Sequence, residues 1–201
     1  MADRKSGGKS ARGVAALSAK RAQLRIDLRG VEPLVWRRVL VPETVTLAKL
    51  HTILQRAMGW TNSHLHEFEI ERQRYGIRDP EWDFGAPVGD ERRARLQSFL
   101  DAGVRRFTYR YDFGDDWEHL VKVEELLPPD PDSTLITCTG GENACPPEDV
   151  GGPPGYAEFL AALADPTHEQ HEDTRRWIGY PFDPAAFDRN AVNQLLARMR
   201  L

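Results

Sequence analysis

Two short segments of the sequence combine imidazole and carboxylate groups in spacings that suit metal binding. The first is HLHE at residues 64–67, inside an alternating stretch that predicts a strand over 64–70. Residues two apart on a strand point the same way, so His64 and His66 would project together as half of a metal site. The alternative is a pair of structural histidines hydrogen-bonded within the core.

The second segment is DFGDDWEH at residues 112–119, which predicts the turn of a β-hairpin between strands at 106–113 and 117–123. Its candidate ligands are Asp112, Asp115, Asp116 and His119. Carboxylate oxygens at a turn suit a hard cation. The alternative is a polar turn that only contacts solvent.

A third segment, CPPEDVGG at residues 145–152, is a Gly- and Pro-rich loop that contains Glu148 and Asp149. No lysine follows it, and two carboxylates inside it argue against a phosphate-binding loop. Cys138 and Cys145 are seven residues apart, which fits no standard zinc pattern. The alternative is a structural loop that packs over the sheet.

These segments together suggest a polar pocket on the His64/His66 face in which a divalent metal activates water for hydrolysis, for example of a phosphodiester. The predicted metal ligands are His64, His66, Asp112, Asp115 and Asp149. The catalytic candidates are His119 as ligand or general base, Asp116 as ligand, and Glu148 as ligand or proton shuttle. Beyond a divalent metal, the sequence indicates no cofactor.

Strands dominate the first part of the chain, and helices the last part. The predicted strands are 22–29, 35–41, 64–70 and the two hairpin strands. The predicted helices are one from N-cap Thr46 to Gly59, a short one at 91–100, one from Tyr156 to Ala164, one capped by Asp165 and running through Trp177, and one from Asp188 to Met199. This order predicts an α+β fold with a mainly antiparallel sheet, one early helix and a helical C-terminal part, in a single compact domain.

Composition and charge limit the class of protein. The 201 residues are 40% hydrophobic and 29% charged, and no stretch is long enough to span a membrane, so we expect a cytoplasmic protein. Residues 1–21 hold six Lys or Arg and one acid and predict a disordered basic tail before a domain at 22–201. This tail, with Arg37 and Arg38, could bind nucleic acid weakly, but the acidic body repels phosphate.

Five motifs in one order resemble the plasmid pRiA4b ORF-3-like family over about residues 22–195. They are WRRVLVP (36–42), LAKLHTILQRAMGW (47–60), HLHEFEI (64–70), YDFGDDWEH (111–119) and CPPEDVGGPPGYAEFL (145–160). The resemblance implies a compact α+β domain in bacteria and archaea, often found on plasmids or beside insertion elements. Some members carry a resolvase label, but this C-terminus has no helix-turn-helix to support one.

The resemblance brings no established reaction, so three functions remain open. The first is an accessory or binding protein of a plasmid or mobile element with a polar His/Asp/Glu pocket, whose partner is nucleic acid or another protein of the element and not a membrane. The second is a metal-dependent hydrolase that uses the three segments. The third is a weak nucleic-acid binder that uses the basic arm. Whether the protein is an enzyme stays open at this stage.

Overall fold

The structure is a computed structural model that describes residues 19–77, 88–130 and 136–199. The centre of the fold in these ranges is one eight-stranded sheet. The strands are β1 (Arg21–Leu28), β2 (Trp36–Pro42), β3 (His66–Ile70), β4 (Gln73–Gly76), β5 (Gly89–Asp90), β6 (Arg106–Tyr111), β7 (Trp117–Leu127) and β8 (Thr137–Glu142). Their order across the sheet is β5-β4-β3-β6-β7-β1-β2-β8. All neighbours pair antiparallel except β4 and β5.

The alternation of apolar residues places one face of the sheet in the core. In β1, Leu24, Ile26 and Leu28 are fully buried, while the residues between them are partly exposed. On β6, Phe107, Tyr109 and Tyr111 are buried in the same way. A period of two is the signature of a strand with one covered face, and the buried residues of both strands follow it.

Five helices lie within the described ranges and follow or cover this sheet. They are α1 (Leu47–Met58), α2 (Leu96–Asp101), α3 (Gly152–Ala164), α4 (His171–Ile178) and α5 (Arg189–Ala197). As predicted, the Thr46 side chain caps the start of α1, and Gly59 ends it with φ 103°. Asp188 caps α5 by accepting hydrogen bonds from two backbone amides, which also confirms its predicted start.

The α+β class and the mainly antiparallel sheet are confirmed. Four local predictions are wrong. The strand predicted from residue 64 begins at His66, the hairpin strand predicted over 106–113 ends at Tyr111, and the helix predicted at 91–100 begins only at Leu96. Asp165 does not begin a helix, because it follows the end of α3 and α4 begins six residues later at His171.

The predicted tail at 1–21 lies outside the described residues up to position 18, and β1 already includes Arg21. Among the residues described, none of the helices is both long enough and apolar enough to cross a bilayer.

Candidate metal centre

Three loops meet at one end of the sheet, beyond the ends of β6 and β7. The segment after α1 carries His64, the turn between β6 and β7 carries Asp112, and the segment between β8 and α3 carries Glu148 and Asp149. The first two are joined directly, because the amide of Asp112 donates to the carbonyl of Leu65 at 2.8 Å. This hydrogen bond fixes two segments side by side whose bonded residues are 47 positions apart in the sequence.

Asp112 is shaped by its position in the tight turn. Its backbone has φ 55°, in the left-handed region that Asp tolerates better than most residues. Its Oδ1 accepts hydrogen bonds from the amides of Gly114 at 2.9 Å and Asp115 at 3.4 Å. This leaves Oδ2 directed at His64, whose Nε2 lies 3.6 Å away.

The Nε2 atom of His64 faces three carboxylates and bonds to none of them. Oδ1 of Asp149 lies at 3.2 Å, Oδ2 of Asp112 at 3.6 Å and Oε2 of Glu148 at 3.8 Å. The nitrogen is shielded from solvent, yet no oxygen meets it with hydrogen-bond geometry. A ring nitrogen surrounded by oxygens in this way fits coordination of a shared cation better than pairwise hydrogen bonding.

The separations suit one ion. One potential ligand atom from each of His64, Asp112 and Asp149 lies within 4.8 Å of the other two. Two atoms that each lie about 2.0–2.6 Å from the same metal can be no more than about 5.2 Å apart. Asp112 is nearly buried, with 10% of its side chain exposed, whereas Asp149 is 71% exposed, so the site opens on the Asp149 side.

Glu148 sits beside this cluster and is held by neutral donors. Its Oε1 accepts from the amide of Thr61 at 2.8 Å and from the Thr61 hydroxyl at 3.0 Å. The Tyr111 hydroxyl donates to the same carboxylate at 3.1 Å and itself accepts from the Ser63 amide at 2.9 Å. Burial, with help from the Glu148 charge, raises the pKa of Tyr111 to about 12, so the phenol stays a donor.

The loop that carries Glu148 and Asp149 docks onto the hairpin turn. Oδ2 of Asp115 accepts from the amide of Gly151 at 3.1 Å, directly before α3. A Cβ on Gly152 would lie 2.4 Å from the carbonyl oxygen of Asp115, so glycine permits this close approach. Asp115 therefore joins the two loops through its side chain and its backbone.

His66 does not join His64 in the cluster. Because β3 begins at His66, the preceding residues do not follow the strand alternation. Its Nε2 pairs with Glu91 at 2.7 Å inside the protein, and its ring stacks on His51 at 3.4 Å. The structure thus separates the two histidines that the sequence pattern places together.

His119 and Asp116 also lie apart from the cluster. His119 is fully buried in the core, where its Nδ1 contacts the carbonyl of Tyr109 at 3.2 Å and burial lowers its pKa to about 4. Asp116 pairs with Arg110 at 2.9 Å and is 62% exposed. Of the predicted ligands and catalytic residues, the structure brings together His64, Asp112, Glu148 and Asp149, and places Asp115 next to them.

The two arginines proposed for nucleic-acid contact are already engaged. Arg37 is 3% exposed and donates to the carbonyls of four residues. These are Trp36, Ala57, Glu142 and Asn143. Arg38 forms a two-pronged pair with Glu124, at 2.6 and 2.9 Å. Arg37 is therefore a structural residue, and the charge of Arg38 is neutralised by its ion pair with Glu124.

Sequence reasoning did not single out Tyr111, Thr61 or Glu91. Tyr111 directly precedes Asp112 and shares its buried face with Tyr109, so the strand alternation holds a usable signal. Thr61 contacts Glu148 and Glu91 contacts His66, and both contacts join segments that are distant in the sequence. No local sequence pattern predicts them.

The chain is similar to known proteins over most of its length. The profile of the family described as plasmid pRiA4b ORF-3-like protein matches residues 20–191. The uncharacterized protein y4hQ of Sinorhizobium fredii is 47% identical over 175 residues, covering 86% of this chain and 88% of that protein. The crystal structure of a protein of unknown function, MM3350 of Methanosarcina mazei Go1, superimposes with a TM-score of 0.78 at 37% identity, covering 85% and 96% of the two chains.

This is thus an α+β protein built on one mixed eight-stranded sheet, with its candidate site in loops at one end of that sheet. The chain belongs to the plasmid pRiA4b ORF-3-like family.

Proposed function

We propose that this protein binds one divalent metal ion through His64, Asp112 and Asp149, and that this ion is its functional centre. The observation that carries the proposal is the shielded Nε2 of His64, which faces three carboxylates within 3.8 Å without a hydrogen bond to any. One imidazole and two carboxylates are a donor set that suits zinc or manganese.

Glu148 supports the site from beside it. Its carboxylate keeps negative charge near the ion, and its hydrogen bonds to Thr61 and Tyr111 fix its orientation. Such outer groups typically change metal affinity about 10–100-fold when they are removed. In this arrangement the protein serves as a metal-binding accessory protein.

The test is metal content by mass spectrometry on purified protein, followed by titration with Zn²⁺ and Mn²⁺. Wild-type protein should hold close to one metal ion per chain. His64→Ala and Asp149→Asn should each weaken binding at least about tenfold. Asp116→Asn is the matched control, because Asp116 lies on the same turn but pairs with Arg110, so its affinity should equal the wild type.

Two results would contradict the metal proposal. One is metal-free protein whose melting temperature does not respond to Zn²⁺, Mn²⁺ or Mg²⁺. The other is equal loss of metal in Asp116→Asn and Asp149→Asn, which would show a nonspecific effect of negative charge.

Metal-dependent hydrolysis is a second candidate, supported by the position of Glu148. Three protein ligands leave coordination positions for a water molecule, as in catalytic zinc sites. The Glu148 carboxylate lies 3.8 Å from His64 Nε2, where it could accept a proton from that water. Measured at metal concentrations that saturate both proteins, Glu148→Gln should then lose at least about 100-fold in activity on bis(p-nitrophenyl) phosphate. If the wild-type protein binds metal but does not hydrolyse this phosphodiester, the hydrolase candidate is wrong and metal binding remains as the proposed function.

A further inference from the structure

A groove of about 370 Å³ runs between α3 and α4 and reaches the candidate metal centre at Asp149. Its walls include aromatic and polar side chains from both helices. Five of these side chains give the groove its charge and its aromatic wall: Asp149, Glu158, Phe159, Asp173 and Trp177. Apart from Asp149, none of these residues belongs to the metal cluster.

Trp177 gives the groove an accessible aromatic wall. Its side chain is 51% exposed although it lies on a short helix of the folded part of the chain. The ring packs edge-on against Phe159, at 5.9 Å between centroids, and Phe159 is buried. This contact holds the indole in place while leaving half of it accessible to a partner. An exposed indole face attracts cations through its quadrupole.

The charge of the groove has one sign. Asp149, Glu158 and Asp173 contribute three carboxylates whose side chains are 71%, 61% and 75% exposed, and no Lys or Arg among the described residues lines the groove. Arg176 pairs with Asp173 from outside, and His168 lies 3.5 Å from Glu158, so part of this charge is shared. Even with Asp149 assigned to the metal, Glu158 and Asp173 against Arg176 leave one net negative charge when histidine is counted as neutral, which repels phosphate and attracts a cationic group.

We propose that this groove binds a Lys or Arg side chain presented by a peptide segment of a partner protein. The cationic head would stack on Trp177 and pair with Glu158 and Asp173, while the aliphatic stem would cover the edge of the indole. This partner is chosen because a cationic side chain complements both the negative charge of the groove and the exposed indole of Trp177. The proposal goes beyond metal binding and does not depend on it.

The test uses a fluorescein-labelled peptide of alternating Ala and Arg and the same peptide with Gln in place of Arg, measured by fluorescence anisotropy. The Arg peptide should bind wild-type protein at least tenfold more tightly than the Gln peptide, and the difference should shrink at high salt. Trp177→Ala and the double variant Glu158→Gln/Asp173→Asn should each weaken binding at least fivefold. Tyr180→Ala is the matched aromatic control, since Tyr180 is 57% exposed but does not line this groove.

Each outcome decides the proposal. Equal binding of the two peptides, or full binding by both groove variants, would overturn it. The double variant keeps the test valid if Trp177→Ala folds poorly, because it replaces exposed carboxylates by amides of the same shape. Binding of a peptide copy of residues 1–20 without binding of the designed peptide would overturn the assignment to an external partner. Binding should persist in EDTA, so failure of the metal proposal would leave this result unchanged.

Discussion

At the scale of single residues, the two arginines of β2 differ in burial and therefore in what they bind. Arg37 and Arg38 are adjacent in β2, yet Arg37 points into the core, where burial lowers its pKa, and Arg38 lies outside against Glu124. Arg37 has the same parity as the buried residues Val35 and Val39. The alternation of the strand therefore held the information that this arginine is structural.

Replacing Arg37 should destabilise the protein far more than replacing its neighbour. Arg37→Met removes the donors to four buried or half-buried carbonyls and should lower the free energy of unfolding by about 3 kcal/mol or more. Arg38→Met removes a partly exposed ion pair and should cost about 1 kcal/mol or less. Urea unfolding followed by circular dichroism compares the two. Similar losses in both variants would contradict the structural role of Arg37.

At the scale of elements, the site depends on how tightly loops approach one another. The start of α3 touches the hairpin turn through the Asp115 side chain and through the backbone at Gly152. This contact brings Glu148 and Asp149 to His64. None of these loop contacts follows from the period of the neighbouring strands and helices.

Adding a methyl group at Gly152 tests this close approach. Gly152→Ala meets the Asp115 carbonyl at 2.4 Å and has φ 67°, so we expect a loss of more than about 2 kcal/mol and weaker metal binding. Gly103→Ala is the control, because its φ of 89° imposes similar strain but nothing lies within 4 Å of the new atom. It should cost about 1 kcal/mol and leave metal binding intact. Thermal unfolding and metal titration of both variants measure the difference, and equal effects would count against the proposed docking.

At the scale of the whole molecule, buried histidines link stability to pH. Burial lowers the pKa of both His51 and His119 to about 4, against an ordinary value near 6.5. Between about pH 6.5 and pH 4, both histidines are therefore protonated in the unfolded chain but stay neutral in the folded protein. These histidines therefore do not reduce the free energy of unfolding above about pH 6.5, but they lower it as the pH falls from about 6.5 to about 4.

We expect the free energy of unfolding to fall by about 2 kcal/mol between pH 7 and pH 5.5, since each histidine contributes up to about 1.4 kcal/mol per pH unit. Urea titrations at these two pH values measure the fall. His119→Gln should reduce it by about half, because the amide does not titrate. A protein equally stable at both pH values would contradict the prediction.

The sequence by itself determined the parts of this protein that depend on neighbours along the chain. Strand alternation indicated the segments that form β1 and β6, and a capping threonine and a terminal glycine fixed the limits of α1. Periodicity and capping are local effects, so a single sequence carries them in full. The residue types at the site were also visible, because acids and histidines in a loop or turn stand out from their surroundings.

Only the tertiary structure decided which of these residues meet. It joined His64 to Asp112 and Asp149, placed Glu91 against His66, and selected the four backbone carbonyls that Arg37 binds. These outcomes depend on where β3 starts and on how the loop before α3 packs against the hairpin turn. Contacts between distant segments are set by packing across the whole fold, and no local pattern in the chain encodes them.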